Sequence, residues 1–181
     1  MHARFVRTVL SLPALALLAS LTTSAQAATT VTGQITSTLV LTSSCLVNGV
    51  AGSSALNFGA LNFGTATSLF TEADAQVLGS GGALSIQCSS GTTPTVKVRA
   101  GAHDGQSSGG TRALADGLGN FVPYDLYTDS DHSQLLAIDG VITLLASSGA
   151  AQTVNIYGKA VGKAGLPAGT YTDTVAVELT F

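Results

Sequence analysis

The sequence predicts an all-β protein, an antiparallel β-sandwich, and three observations carry that reading. Apolar residues recur with period two and nowhere sustain the 3.6-residue period of an amphipathic helix. Some seven or eight short apolar runs are separated by turn segments rich in Gly, Ser and Asp, the spacing of a sandwich rather than of alternating strands and helices. The runs themselves are filled by Thr, Val, Ile and Leu, residues that suit a pleated, half-buried surface.

Taken in order, the chain opens with the three zones of a secretory signal peptide. Arg4 and Arg7 form a cationic head, Val9 to Leu21 is an apolar run, and Ala25-Gln26-Ala27 is a small-x-small cleavage pattern. The apolar run is shorter than the ~20 residues of a spanning helix. It also contains Pro13 and is followed by Thr22-Thr23-Ser24 instead of a basic flank. Cleavage after residue 27 of 181 leaves 154 residues beginning at Ala28, enough for one domain with a real core and with no further membrane-length segment.

Thr29 to Thr42 alternates, with Val31, Gly33, Ile35, Ser37, Leu39 and Leu41 on one face. Its fourteen residues far exceed the usual strand of ~5–6, so it is one very long strand or two units used in different places. Leu56-Asn57-Phe58-Gly59 is echoed by Leu61-Asn62-Phe63-Gly64, each ending on a glycine suited to a turn or bulge. A short helical turn is expected at most near Thr71–Ala75, with Thr71 as its cap. Leu84 to Cys88 alternates with Cys88 on the inward face, and Thr95 to Arg99 places Val96 and Val98 inward with Lys97 and Arg99 outward. His103 to Gly119 reads as loop or hairpin. Val122 to Tyr127 reads as a strand at an edge or beginning at Pro123. Short apolar runs flank the turn Asp139-Gly140, Thr153 to Gly158 is a further strand candidate, and Gly162 to Gly169 is a loop. Tyr171, Asp173, Val175, Val177, Leu179 and Phe181 share one face of the final strand.

Charge and motif content exclude several functions. The chain from Ala28 carries five Lys and Arg against ten acids and has no basic stripe, so nucleic acid is not expected as a partner. Cys45 and Cys88, two cysteines in an exported chain, predict an intramolecular disulfide; zinc is the weaker alternative without a nearby His pair. Asp129, Asp131 and His132 form the densest polar cluster, yet lack the oxygen ligands of a calcium loop and read as a solvated turn. His103-Asp104-Gly105 is likewise a turn signal, and no Gly-x-Ser-x-Gly pattern is present. No catalytic residue, metal site or cofactor is expected, and an enzyme is not.

Thr32-Gly33-Gln34, Thr42-Ser43-Ser44-Cys45, Leu61-Asn62-Phe63-Gly64, Ser85-Ile86-Gln87-Cys88 and Gly169-Thr170-Tyr171-Thr172-Asp173-Thr174-Val175 occur in that order. Together they resemble the spore coat protein U domain family, which includes pilin subunits of archaic, Csu-type chaperone–usher pili. The resemblance spans essentially the whole chain after the signal peptide. It implies an immunoglobulin-like sandwich that lacks its last strand and is completed by donor-strand exchange. Residues 28–38 would then be a donor extension with Val31, Gly33 and Ile35 facing a neighbour's groove, and 39–181 the sandwich domain, its first core strand near Leu39–Ser44. Val175, Val177, Leu179 and Phe181 would line the groove and meet the chaperone. The implied partners are a periplasmic pilus chaperone, an outer-membrane usher and neighbouring copies of this or related subunits. The implied location is the periplasm in transit and then a cell-surface pilus that supports adhesion or biofilm formation. A non-polymerising coat or matrix protein and a lectin-like adhesin are the alternatives.

Overall fold

The computed structural model describes residues 26–181, so the signal peptide expected at 1–27 lies almost wholly outside the described residues. Contacts divide the chain into two units, Met1–Leu39 and Val40–Phe181. In the first, residues 26–39 are exposed and carry no strand. The second holds every strand found among the described residues, each ladder antiparallel.

Its strands are β1 Cys45–Val47, β2 Val50–Ala51, β3 Ala60–Leu61, β4 Glu72–Gly79, β5 Gly82–Cys88 and β6 Thr95–Gly101. They are followed by β7 Arg112–Ala115, β8 Phe121–Tyr127, β9 Gly140–Thr143, β10 Gln152–Val154, β11 Tyr157–Val161 and β12 Val175–Thr180. One sheet runs β2-β1-β5-β4-β11-β8-β7, with β10 also on β5 and β3 also on β4; the other is β12-β6-β9. The arrangement is an antiparallel sandwich, as the patterning predicts. The alternation works as read: Leu84, Ile86 and Cys88 of β5 and Val96 and Val98 of β6 point into one core with Val122, Tyr124 and Leu126 of β8.

Asn48-Gly49 joins β1 to β2 with φ of 50° and 80°, both central residues left-handed, the two-residue hairpin turn that matches strand twist. The Asn48 side chain then works twice, accepting from Ser85 N at 3.0 Å and donating to Asn57 O at 2.9 Å. Cys45 and Cys88 are direct cross-strand partners of β1 and β5, and their disulfide closes a separation of 43 residues.

Three local readings are corrected. The strand expected near Leu39–Ser44 is absent: β1 begins at Cys45, and Leu39, Val40 and Leu41 are exposed. Alternation prepares a segment for a sheet, but only a paired edge makes it a strand. The turn of helix near Thr71–Ala75 is instead the start of β4. There the ladder to β11 overrides the helix-forming Glu and Ala residues. β8 is interior, between β11 and β7, although it contains Pro123. Its ladder with β11 ends at Ala160–Tyr124, so the missing N–H of Pro123 falls beyond that register. The segment from His103 to Gly119, read as loop or hairpin, supplies one arm of a hairpin: it contains β7, which pairs antiparallel with β8 and begins on an arginine. Arg112 is fully buried.

Candidate functional site: a groove along an unpaired strand edge

β12 is held on one side only. Its ladder to β6 runs from Val175–Gly101 to Thr180–Thr95, with a register shift between Val175 and Val177, and its other edge has no strand partner among the described residues. Beside that edge lies an open groove of about 930 Å³. Val175, Val177 and Leu179 line it and stay only half-buried, and Phe181 at its end is 52% exposed. The floor is the core itself, for Leu84, Val98, Leu126 and Ile156 all reach the groove. An apolar inward face left half-wet beside unpaired backbone groups is the arrangement that invites pairing with another extended chain.

The opposite lip is built by residues 52–61, and the sequence echo explains its shape. In each copy the asparagine side chain caps the turn: Gly59 N donates to Asn57 Oδ1 and Gly64 N to Asn62 Oδ1, both at 2.8 Å. Both glycines have positive φ, 127° and 75°, as such turns require. The turns direct Leu56, Phe58, Leu61 and Phe63 onto the core. Phe63 meets Tyr124 edge-on at 5.9 Å between ring centroids.

One end of the groove is polar. Asp173, whose side chain is 1% exposed, lines it with Tyr124. The carboxylate accepts from Tyr124 Oη at 2.7 Å and from Ala102 N at 2.9 Å, and His103 Nδ1 lies 3.2 Å away. Burial, reinforced by the hydrogen bond to Asp173, pushes the Tyr124 hydroxyl far above the ordinary tyrosine range. Behind it the buried Arg112 donates from Nη1 to Arg99 O at 2.9 Å and approaches Asp104 Oδ1 at 3.8 Å.

The sequence-predicted residues fall into three groups. Val175, Val177, Leu179 and Phe181 come together on the groove, and Cys45 of the disulfide also touches it. Val31 and Ile35 are 90% and 95% exposed, and a side chain at Gly33 would meet nothing. The cluster of Asp129, Asp131 and His132 is a closed turn. The Asp129 carboxylate accepts from Ser133 N, Ser133 Oγ and Gln134 N at 2.7–3.0 Å. Desolvation opposes them, but together these bonds hold Asp129 below the usual carboxylate range. His132 stacks edge-on against Tyr127. Among the described residues no three His, Cys, Asp or Glu side chains group to hold a metal. Sequence reasoning missed the polar end of the groove, because His103 and Asp173 are 70 residues apart. The one available signal was the lone acid on the inward face of the last strand.

A model of the Spore Coat Protein U domain matches residues 29–178. A chain of the CsuC-CsuE chaperone-tip adhesion subunit pre-assembly complex, from archaic chaperone-usher Csu pili of Acinetobacter baumannii, is similar at 21% identity and a TM-score of 0.46. That similarity covers 77% of this chain and 40% of the other, so the chain spans well under two thirds of that protein's length. No curated protein matches.

Proposed function

The chain belongs to the Spore Coat Protein U domain family, and on that premise we propose that it is a structural subunit of a surface pilus built by donor-strand complementation in a chaperone–usher system. The observation that carries the proposal is the groove: an edge strand with no partner on one side among the described residues, beside a cleft floored by the hydrophobic core. Its occupant is an extended, uncharged strand with apolar residues on one face, and residues 28–38 have that chemistry. Val31 and Ile35 alternate through Gly33, and no charged side chain occurs from Ala28 to Ser44. The six residues of β12 span about 20 Å at the usual strand rise, which a donor of similar length would match.

Burying Val31 and Ile35 would contribute about 1.5–3 kcal/mol each before ordering costs, and main-chain bonds to β12 would fix register. Donor and acceptor are different surfaces, so the contact is head-to-tail and repetition gives an open filament. A periplasmic chaperone would occupy the groove before assembly, with an outer-membrane usher exchanging it for the neighbour's strand. Val175, Val177, Leu179 and Phe181 would be the contacts of both, and the assembled fibre would support adhesion or biofilm formation at the cell surface.

The test is expression of the chain from Ala28 with and without residues 28–38, together with its cognate chaperone, followed by non-denaturing electrophoresis. The proposal expects ladders of multimers that vanish on truncation while the chaperone-bound monomer persists. Discrete monomers from the intact chain without any chaperone would contradict it and favour a non-polymerising coat or matrix protein.

A further inference from the structure

We propose that Asp173 is a positioning residue for strand acceptance: its buried carboxylate pins the root of β12 between the two sheets and so sets where the groove's outer wall stands. The inference rests on the groove reading and adds to it a residue with a defined task.

The chain changes sheets at this residue. Thr172 exchanges two backbone hydrogen bonds with Ala115 of β7, both 2.9 Å, and so belongs to the larger sheet. Thr174 O accepts from Ala102 N at 3.1 Å, and from Val175 onward the chain is paired to β6 in the smaller sheet. Asp173 is therefore the single residue at which the chain crosses from one sheet to the other. Its carboxylate repeats that bridge in side-chain bonds. It accepts from Ala102 N and meets His103 on the side of β6, and it accepts from Tyr124 of β8 in the opposite sheet.

β12 needs such an anchor because its own ladder is weak at this end. The register shift between Val175 and Val177 interrupts pairing where the strand starts, and the far edge is unpaired among the described residues. Without a fixed root, Val175 and Val177 would be free to swing toward the core and narrow the cleft they line. The surroundings are shaped around the carboxylate. A side chain at Gly101 would collide with both Asp173 and Asp104, so the close approach requires glycine there. The groups facing the site are His103, Asp104, Arg112 and Tyr124. The buried Arg112 supplies the positive charge that lets two carboxylates share one enclosed region.

A residue that merely supported the fold would leave a different signature. The experiment compares the chaperone-bound full chain from Ala28 with its Asp173→Ala, Asp173→Asn and Tyr124→Phe variants by hydrogen exchange and by binding of a synthetic peptide of residues 28–38 that displaces the chaperone. Expected for Asp173→Ala is exchange at the amides of 175–180 about tenfold faster, with the β1–β5 amides unchanged, and peptide dissociation about tenfold faster. Asp173→Asn keeps an acceptor for Ala102 N and recovers most of both losses, and Tyr124→Phe loses part. Exchange that speeds equally in all strands, or β12 amides that do not respond to any of the three substitutions, overturns the inference. A wild-type chain that fails to bind the peptide contradicts the groove reading alone, since the exchange pattern still decides the role of Asp173.

Discussion

Tyr124 shows how much one side chain can be asked to do. Its ring packs against Phe63 under the groove, and its hydroxyl reaches the Asp173 carboxylate, which also lines the cleft. Because burial and the Asp173 bond raise its pKa, the folded state keeps the proton after the unfolded chain has begun to lose it. The stabilisation is complete below the ordinary tyrosine value of about 10 and is lost as pH rises above it. Urea midpoints taken between pH 9 and 11 should therefore fall for the wild type and fall less for Tyr124→Phe; equal slopes would remove Tyr124 as the cause. Asp116 has the opposite sign. The side-chain bond from Asn120, aided by backbone bonds from Leu118 and Asn120, depresses its pKa, so its contribution is present near neutrality and fades as pH falls through the carboxylate range.

At the scale of elements, the two Leu-Asn-Phe-Gly copies make a controlled comparison. Both glycines are left-handed, but a side chain at Gly59 would press on the backbone of Leu78 while one at Gly64 would meet nothing. Gly64→Ala should cost about 1–2 kcal/mol from backbone conformation alone. Gly59→Ala should cost more and disturb the lip of the groove, and paired urea unfolding curves check the order. These same elements show where the sequence was legible. Period-two runs with apolar residues on one face, such as Leu84 to Cys88 and Val175 to Leu179, could be read directly because burial on one face leaves its mark on every second residue. β7 could not, since its leading Arg112 is a buried charge whose partners, Arg99 O and Asp104, come from another part of the chain. β4 could not because Glu, Ala and Gln favour helix until the neighbouring strand β11 claims their backbone groups. The disulfide was legible for the simplest reason, that two cysteines allow one pairing. The polar end of the groove rests on a contact across 70 residues that no local pattern encodes.

At the scale of the whole molecule, the disulfide and the groove are linked. Cys45 opens β1, directly follows residues 40–44, which form no strand, and also lines the cleft. In the chain-entropy model its bond to Cys88 stabilises the fold by about 3–4.5 kcal/mol. Cys88→Ser should therefore lower stability by that order and release the wall of the groove formed by β1; a thermal melt with and without reductant measures the first. What distinguishes this sandwich is that its core is left open along one edge. The most direct measurement is disulfide trapping between two engineered copies, one carrying Ile35→Cys and the other Val175→Cys, Val177→Cys or Leu179→Cys in turn. The account predicts covalent dimers between different copies, strongest at one of the three groove positions and absent when the cysteine is placed at Ala176. Folded chains that give no such dimer at any of the three positions, or that give it equally at Ala176, would contradict it.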